Sequence, residues 1–218
     1  RVYFLGIGGI GMSALAQFFL QYGVKVFGYD LTPSKITDQL IKMGAVIHFT
    51  EQDQLIPDEI DLVILTPAIP KNHKELLWFQ EHQIPILKRS EVLGLICESF
   101  PTIAVAGTHG KTTTTSMVTH FLRAIHHPTL AFIGGISKNL NSNFLYTKDF
   151  QTVVVEADEF DRSFLTLYPK IGIITSVDAD HLDIYGEKEN LITSFQDFAN
   201  QIDRNGVLII AQKIAHLI

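Results

Sequence analysis

Twice along this chain of 218 residues an apolar run breaks at a glycine-rich turn and continues directly into a helical pattern. The first turn, Gly6-Ile7-Gly8-Gly9-Ile10-Gly11, joins a strand over Val2–Ile7 to a helix over Gly11–Tyr22. The second, Gly107-Thr108-His109-Gly110, joins a strand over Ile103–Ala106 to a helix over Lys111–His126. A strand that feeds a helix through glycines belongs in a parallel sheet with helices on its faces. The turn then lies at the carboxyl end of the sheet, where backbone N–H groups and the helix dipole favour anions.

The rest of the pattern agrees with an α/β fold. Further strands are predicted at Val24–Tyr29, Val46–Phe49 and Leu62–Leu65, with helices at Lys35–Met43 and Lys71–His82. Pro85 and Pro101 bracket a helix over Ser90–Ser99, with Ser90 as its N-cap. A domain boundary is placed at Ser99–Pro101, which gives domains of residues 1–99 and 100–218. In the second domain, strands are predicted at Thr129–Phe132, Thr152–Glu156, Ile171–Thr175 and Val207–Ala211, and a helix at Lys188–Ile202. The polar segment Gly134–Phe150 reads as a loop or short hairpin. The expected architecture is a Rossmann-like domain followed by a P-loop-type α/β domain, both with mainly parallel sheets.

Composition narrows the function. Lys plus Arg number 17 against 23 Asp plus Glu, a net charge of −6. That balance argues against a nucleic-acid partner, whose binding needs clustered cations. The one cysteine, Cys97, lies in an apolar run and reads as a buried thiol outside any disulfide. No apolar stretch reaches membrane-span length, so no membrane insertion is expected and a cytoplasmic protein is inferred. The chain starts without Met, directly in a strand, and ends inside the helix-like pattern Ala211–Ile218. Both ends read as cut points.

The first loop has the setting of a dinucleotide-type fingerprint, with Asp30 at the end of the next strand in reach of a ribose hydroxyl. Its glycines say diphosphate more firmly than NAD. The competing reading is a tight turn with no ligand. The second loop lacks the first glycine of the general P-loop pattern, since Val105 stands there, but keeps Gly110-Lys111-Thr112. Backbone N–H groups would cradle phosphates, Lys111 would neutralise the β and γ oxygens, and the Thr112 hydroxyl would reach a magnesium ion. Four consecutive threonines, Thr112 to Thr115, are too poor at forming helix for capping alone to explain them.

Two further strand ends carry acids. Val153-Val154-Val155-Glu156 delivers a carboxylate suited to the same metal as Thr112. Glu159 and Asp161, just beyond, read as a solvated acidic loop. Ile171–Thr175 leads into Ser176-Val177-Asp178-Ala179-Asp180-His181-Leu182-Asp183, in which His181 lies between carboxylates that could orient it as a metal ligand.

Together these residues resemble the Mur ligase family, over essentially the whole chain. The resemblance rests on Gly6-Ile7-Gly8-Gly9-Ile10-Gly11-Met12-Ser13, Gly107-Thr108-His109-Gly110-Lys111-Thr112-Thr113, Glu156-Ala157-Asp158-Glu159 and Asp180-His181-Leu182-Asp183-Ile184-Tyr185. It implies that the first domain binds a UDP-sugar, UDP-N-acetylmuramate, through Gly6, Gly8, Gly9, Ile10, Gly11, Met12, Ser13 and Asp30. It implies ATP at Gly107, Thr108, His109, Gly110, Lys111, Thr112 and Thr113. Lys111, Glu156 and His181 would be the catalytic groups, with Mg²⁺ or Mn²⁺ held by Thr112, Glu156 and His181. The family reaction forms an acyl phosphate that an amine then attacks. Within the family, Gly8 to Ser13 favours the member that adds L-alanine over the one that recycles murein tripeptide. Two departures stand out: Ser176, where the family often has Asn, and Ala124–Leu130, which lacks an expected glycine. With the last domain absent, this piece is expected not to catalyse ligation. A dehydrogenase would leave the second loop, Glu156 and His181 without a role.

Overall fold

A computed structural model of the protein describes residues 1–178 and 188–218. Its contacts divide the chain into two units, Arg1–Val92 and Leu93–Ile218.

The first unit is built on a five-stranded parallel sheet in the order β3-β2-β1-β4-β5. Its strands are β1 (Val2–Leu5), β2 (Val26–Tyr29), β3 (Val46–His48), β4 (Leu62–Leu65) and β5 (Ile86–Lys88). The middle strand, β1, is buried at all four residues, as its unbroken apolar run requires of a strand covered on both faces. Helices α1 (Ile10–Gln21), α2 (Lys35–Lys42) and α3 (Lys74–Glu81) connect the strands. Ser34 and Thr37 form a reciprocal capping box that starts α2 where its sequence turns amphipathic. Tyr3, Leu5, Val63, Leu76 and Phe79 form a core beneath this sheet.

Helix α4 (Arg89–Glu98) runs through the division into the second unit. There a six-stranded sheet has the order β11-β10-β6-β9-β7-β8. The strands are β6 (Thr102–Ala106), β7 (Thr129–Ser137), β8 (Ser142–Tyr146), β9 (Thr152–Glu156), β10 (Ile171–Ile174) and β11 (Val207–Ile210). All pairs are parallel except the β7–β8 hairpin. Helix α5 (Lys111–Ala124) follows β6, and α6 (Lys188–Asn200) precedes β11. Phe164, in a 3-10 segment over Phe160–Thr166, stacks on Phe198 of α6 with ring centroids 5.3 Å apart.

One local expectation is corrected and the structure decides another. Strand β5 was not read from the sequence, and α4 starts at once after it, so Ser90 lies inside the helix rather than capping it. Of the two readings of the polar segment from Gly134, the hairpin holds, because β7 continues to Ser137 and turns back antiparallel into β8. After α5, in the stretch that lacks a glycine, His126 takes the left-handed conformation with φ 56°. That conformation is strained for a residue with a side chain. Cys97 is buried, as read, and burial pushes its thiol up to about 12.

Candidate functional site: two glycine loops

The first loop leaves β1 through Gly6, whose φ of +86° suits only glycine, and it is tied to β2 by Gly6 N and Ile7 N donating to the Tyr29 carbonyl. Asp30 does not point freely to solvent. Its Oδ2 accepts from Gly8 N at 2.6 Å, and its Oδ1 from Thr32 N at 3.3 Å. A Cβ on Gly8 would lie 2.8 Å from that Asp30 oxygen, so Gly8 is what lets the carboxylate close on the loop. Gly9 caps α1 without a side chain, and no acid stands in the first turn to occupy the dipole. Gly11 faces the Arg89 guanidinium, with Nη1 2.7 Å from where its Cβ would be, a neighbour the sequence reading missed.

Beside this loop lies a cavity of about 560 Å³, lined by Gly6, Gly8, Asp30, Thr66, Ile69 and His73 among others. That volume suits a small-molecule ligand. His73, also unforeseen, is buried against Tyr29 with ring centroids 4.7 Å apart, and neither ring nitrogen has a hydrogen-bond partner among the described residues. Met12 and Ser13 belong to the buried face of α1, and Ser13 Oγ donates to the Ile10 carbonyl. Any part these two play at the loop is through first-turn backbone, because their side chains are packing groups. Ile10 begins the helix at the loop's end.

The second loop is set by strand register. Val105 of β6 is opposite Glu156 of β9, and Ala106 is opposite Ile174 of β10, so three carboxyl ends meet at one edge. Gly107 has φ +135°, and a Cβ there would collide with Thr175 Oγ1, so the loop can lie this close to β10 only as glycine. Thr175 Oγ1 donates to the carbonyls of Ala106 and His109. Ser176 Oγ accepts from His109 N at 2.8 Å and pairs with Thr108 Oγ1 at 2.9 Å, while its carbonyl accepts from Thr108 N. A hydroxyl at position 176 therefore shapes the loop, which gives that departure a physical role. The His109 ring is exposed and lies 4.0 Å from Asp178. Gly110 caps α5 in the left-handed conformation, followed by Lys111, Thr112 and Thr113 on the first turn.

Thr112 Oγ1 donates to Glu156 Oε1 at 2.9 Å, and Gly134 N donates to Glu156 Oε2 at 2.8 Å. Burial raises the Glu156 carboxyl above its usual range, and these two bonds and nearby Lys111 only partly offset it. A Cβ on Gly134 would lie 2.6 Å from the carboxylate, so this glycine of β7 makes room for it. The glycine sits in the segment read as a loop or short hairpin, and nothing in the sequence singled it out.

Glu159 overturns its sequence reading. It is fully buried and meets Lys111, with Nζ 2.7 Å from Oε2 and 2.9 Å from Oε1. Lys111 Nζ also donates to the Gly107 carbonyl at 2.9 Å. His181 and the rest of Asp180–Tyr185 lie outside the described residues. Among the described residues no group of three or more His, Cys, Asp or Glu side chains clusters as a metal site. A hydroxyl and a carboxylate at one point are nonetheless a hard oxygen pair, which fits Mg²⁺ that also takes phosphate oxygens. No helix among the described residues is long and apolar enough to cross a membrane.

Comparison with known proteins agrees with this layout. The family model described as Mur ligase family, catalytic domain, matches residues 1–101, and that described as Mur ligase middle domain matches residues 105–217. The chain belongs to the Mur ligase family. It is 50% identical over 218 residues to a UDP-N-acetylmuramate–L-alanine ligase of Phocaeicola vulgatus, covering 98% of this chain and 48% of that relative. The chain thus spans about half the length of the curated relatives it matches. Among solved structures, the UDP-N-acetylmuramate–alanine ligase of Thermotoga maritima superposes with a TM-score of 0.88 at 32% identity, over 100% of this chain and 51% of that one. A murein peptide ligase of Psychrobacter arcticus superposes with a TM-score of 0.79 at 26% identity, over 96% and 48%.

Proposed function

We propose that this chain supplies the sugar-nucleotide and ATP sites of a ligase that joins L-alanine to UDP-N-acetylmuramate in peptidoglycan precursor synthesis. The observation that carries the reading is the meeting of Lys111, Thr112 and Glu156 at one sheet edge, in a chain whose first unit offers a separate glycine loop and cavity. Half identity to alanine-adding relatives over nearly the whole chain supports the choice of amino acid.

In this reading the first loop takes the UDP diphosphate on backbone N–H groups and the α1 dipole. The second loop takes the ATP phosphates. The γ-phosphorus is attacked by the substrate carboxylate, the bond to the β–γ bridging oxygen breaks, and ADP leaves with that oxygen. The resulting acyl phosphate is attacked by the alanine amine, which loses a proton as the amide forms and inorganic phosphate departs. Such a reaction needs positioning and charge neutralisation above all. Lys111 neutralises the transferring phosphoryl group, and Thr112 with Glu156 would hold Mg²⁺, which when bound offsets the phosphate charge. His181 is proposed as the ligand of a second ion. The domains proposed for these tasks are residues 1–99 and 100–218.

Because the chain spans about half of its relatives, it is proposed not to catalyse ligation alone. The test is phosphate release from MgATP by a full-length protein carrying this chain. Release should require UDP-N-acetylmuramate together with free L-alanine. Release with murein tripeptide in place of free L-alanine would assign it to the recycling branch.

A further inference from the structure

The Lys111–Glu159 pair is not explained by phosphate binding alone. Glu159 stands at the start of the 3-10 segment after β9, where Arg162 N donates to its carbonyl and fixes its backbone. Its side chain is fully buried, and that of Lys111 is 14% exposed. An ammonium group has three donors. Here it donates to Glu159 Oε1 and to the Gly107 carbonyl, each at 2.9 Å, and is ion-paired with Glu159 Oε2 at 2.7 Å. Gly107 leaves no room for a side chain beside Thr175 and Ser176, and Thr175 Oγ1 donates to the neighbouring Ala106 and His109 carbonyls. Lys111 therefore reaches the loop mouth already engaged.

A buried carboxylate that loses a cation paired with it is strongly disfavoured. Glu159 thus keeps Lys111 beside it when phosphate arrives, and the lysine shares its charge. A second carboxylate, Glu156, already faces the same loop. The negative charge of Glu159 opposes a polyphosphate across a short distance in a poorly solvated site, where Coulomb terms are large.

We propose that Glu159 is a positioning residue that anchors the Lys111 ammonium at the phosphate loop and weakens ground-state nucleotide binding while it does so. The lysine is then placed for the phosphoryl group in flight rather than for tight retention of ATP or ADP. This rests on reading the second loop as the ATP site.

The test is Glu159→Gln, which keeps shape and removes charge. Titration with MgADP should show binding tightened by about three- to tenfold. In the full-length protein the turnover number for phosphate release should fall, because Lys111 is no longer held. A purely structural residue would instead give weaker nucleotide binding and a lower melting temperature. Unchanged or weakened MgADP binding in a folded Glu159→Gln protein overturns the proposal. Failure of the wild type to bind MgADP removes the ATP reading itself, which is a separate result. Should the variant not fold, the wild type gives a second reading by ¹⁵N-detected NMR. The Lys111 ammonium signal should remain slowly exchanging after MgADP is added, and its loss on binding would show that the pair breaks, against the proposal.

Discussion

Glu156 is placed where its proposed role as a metal ligand and the stability of the fold conflict. Burial favours its neutral form, so its folded pKa is raised. A group of this kind contributes stability that is complete below the unfolded carboxyl value of about 4.3 and is lost as pH rises through the folded value. At neutral pH without metal, the ionised carboxylate is a cost. Glu156→Gln should therefore raise the melting temperature at pH 7 by a few degrees, roughly the effect of 1 kcal/mol in a chain of this size. The gain should shrink below about pH 4, where both side chains are neutral. The same variant should lose Mg²⁺-dependent nucleotide binding. Gly134→Ala tests the site from the other side. Its methyl group would fall 2.6 Å from the carboxylate, so Glu156 must move, and MgADP affinity measured by calorimetry should drop about tenfold, equivalent to ~1.4 kcal/mol. Wild-type affinity in this variant would show that the Glu156 position is not critical.

At the scale of elements, glycine loops and apolar runs were legible because each has one physical use. Strands β4 and β9 begin and end where the sequence pattern puts them. What escaped was set by partners distant in sequence. Glu159 looks like part of an acidic loop until β6 and β9 pair and bring it to Lys111. Gly134 looks like a turn residue until β7 lies beside β9. Strand β5 was too short, at three residues, to show a period. The first unit hides a polar device of the same kind. Tyr3 of β1 donates to Glu75 of α3 at 2.6 Å and meets His48 of β3 at 2.7 Å. Burial raises the Glu75 carboxyl, and the Tyr3 bond holds it down. Tyr3→Phe should cost about 1–3 kcal/mol in urea unfolding, because it leaves buried Glu75 and half-buried His48 each short of a partner. The helix end of α5 should respond the opposite way. His126→Gly should stabilise the protein by about 0.5–1 kcal/mol, since glycine adopts that φ without strain.

For the whole molecule, two α/β units each present one glycine loop at a sheet's carboxyl end, and the two loops differ in chemistry. The first has backbone, an aspartate turned onto the loop and a cavity wall that includes His73 and Glu51 but no lysine or arginine. The second has a lysine, a threonine and two carboxylates. That division suits a sugar nucleotide held for reaction and a triphosphate that reacts. It does not suit a dehydrogenase, which would need only the first loop. The most direct test is a calorimetric titration of this chain with UDP-N-acetylmuramate, with NAD as the comparison. The account predicts saturable binding of the UDP-sugar and none of NAD. Binding of NAD in place of the UDP-sugar would contradict it.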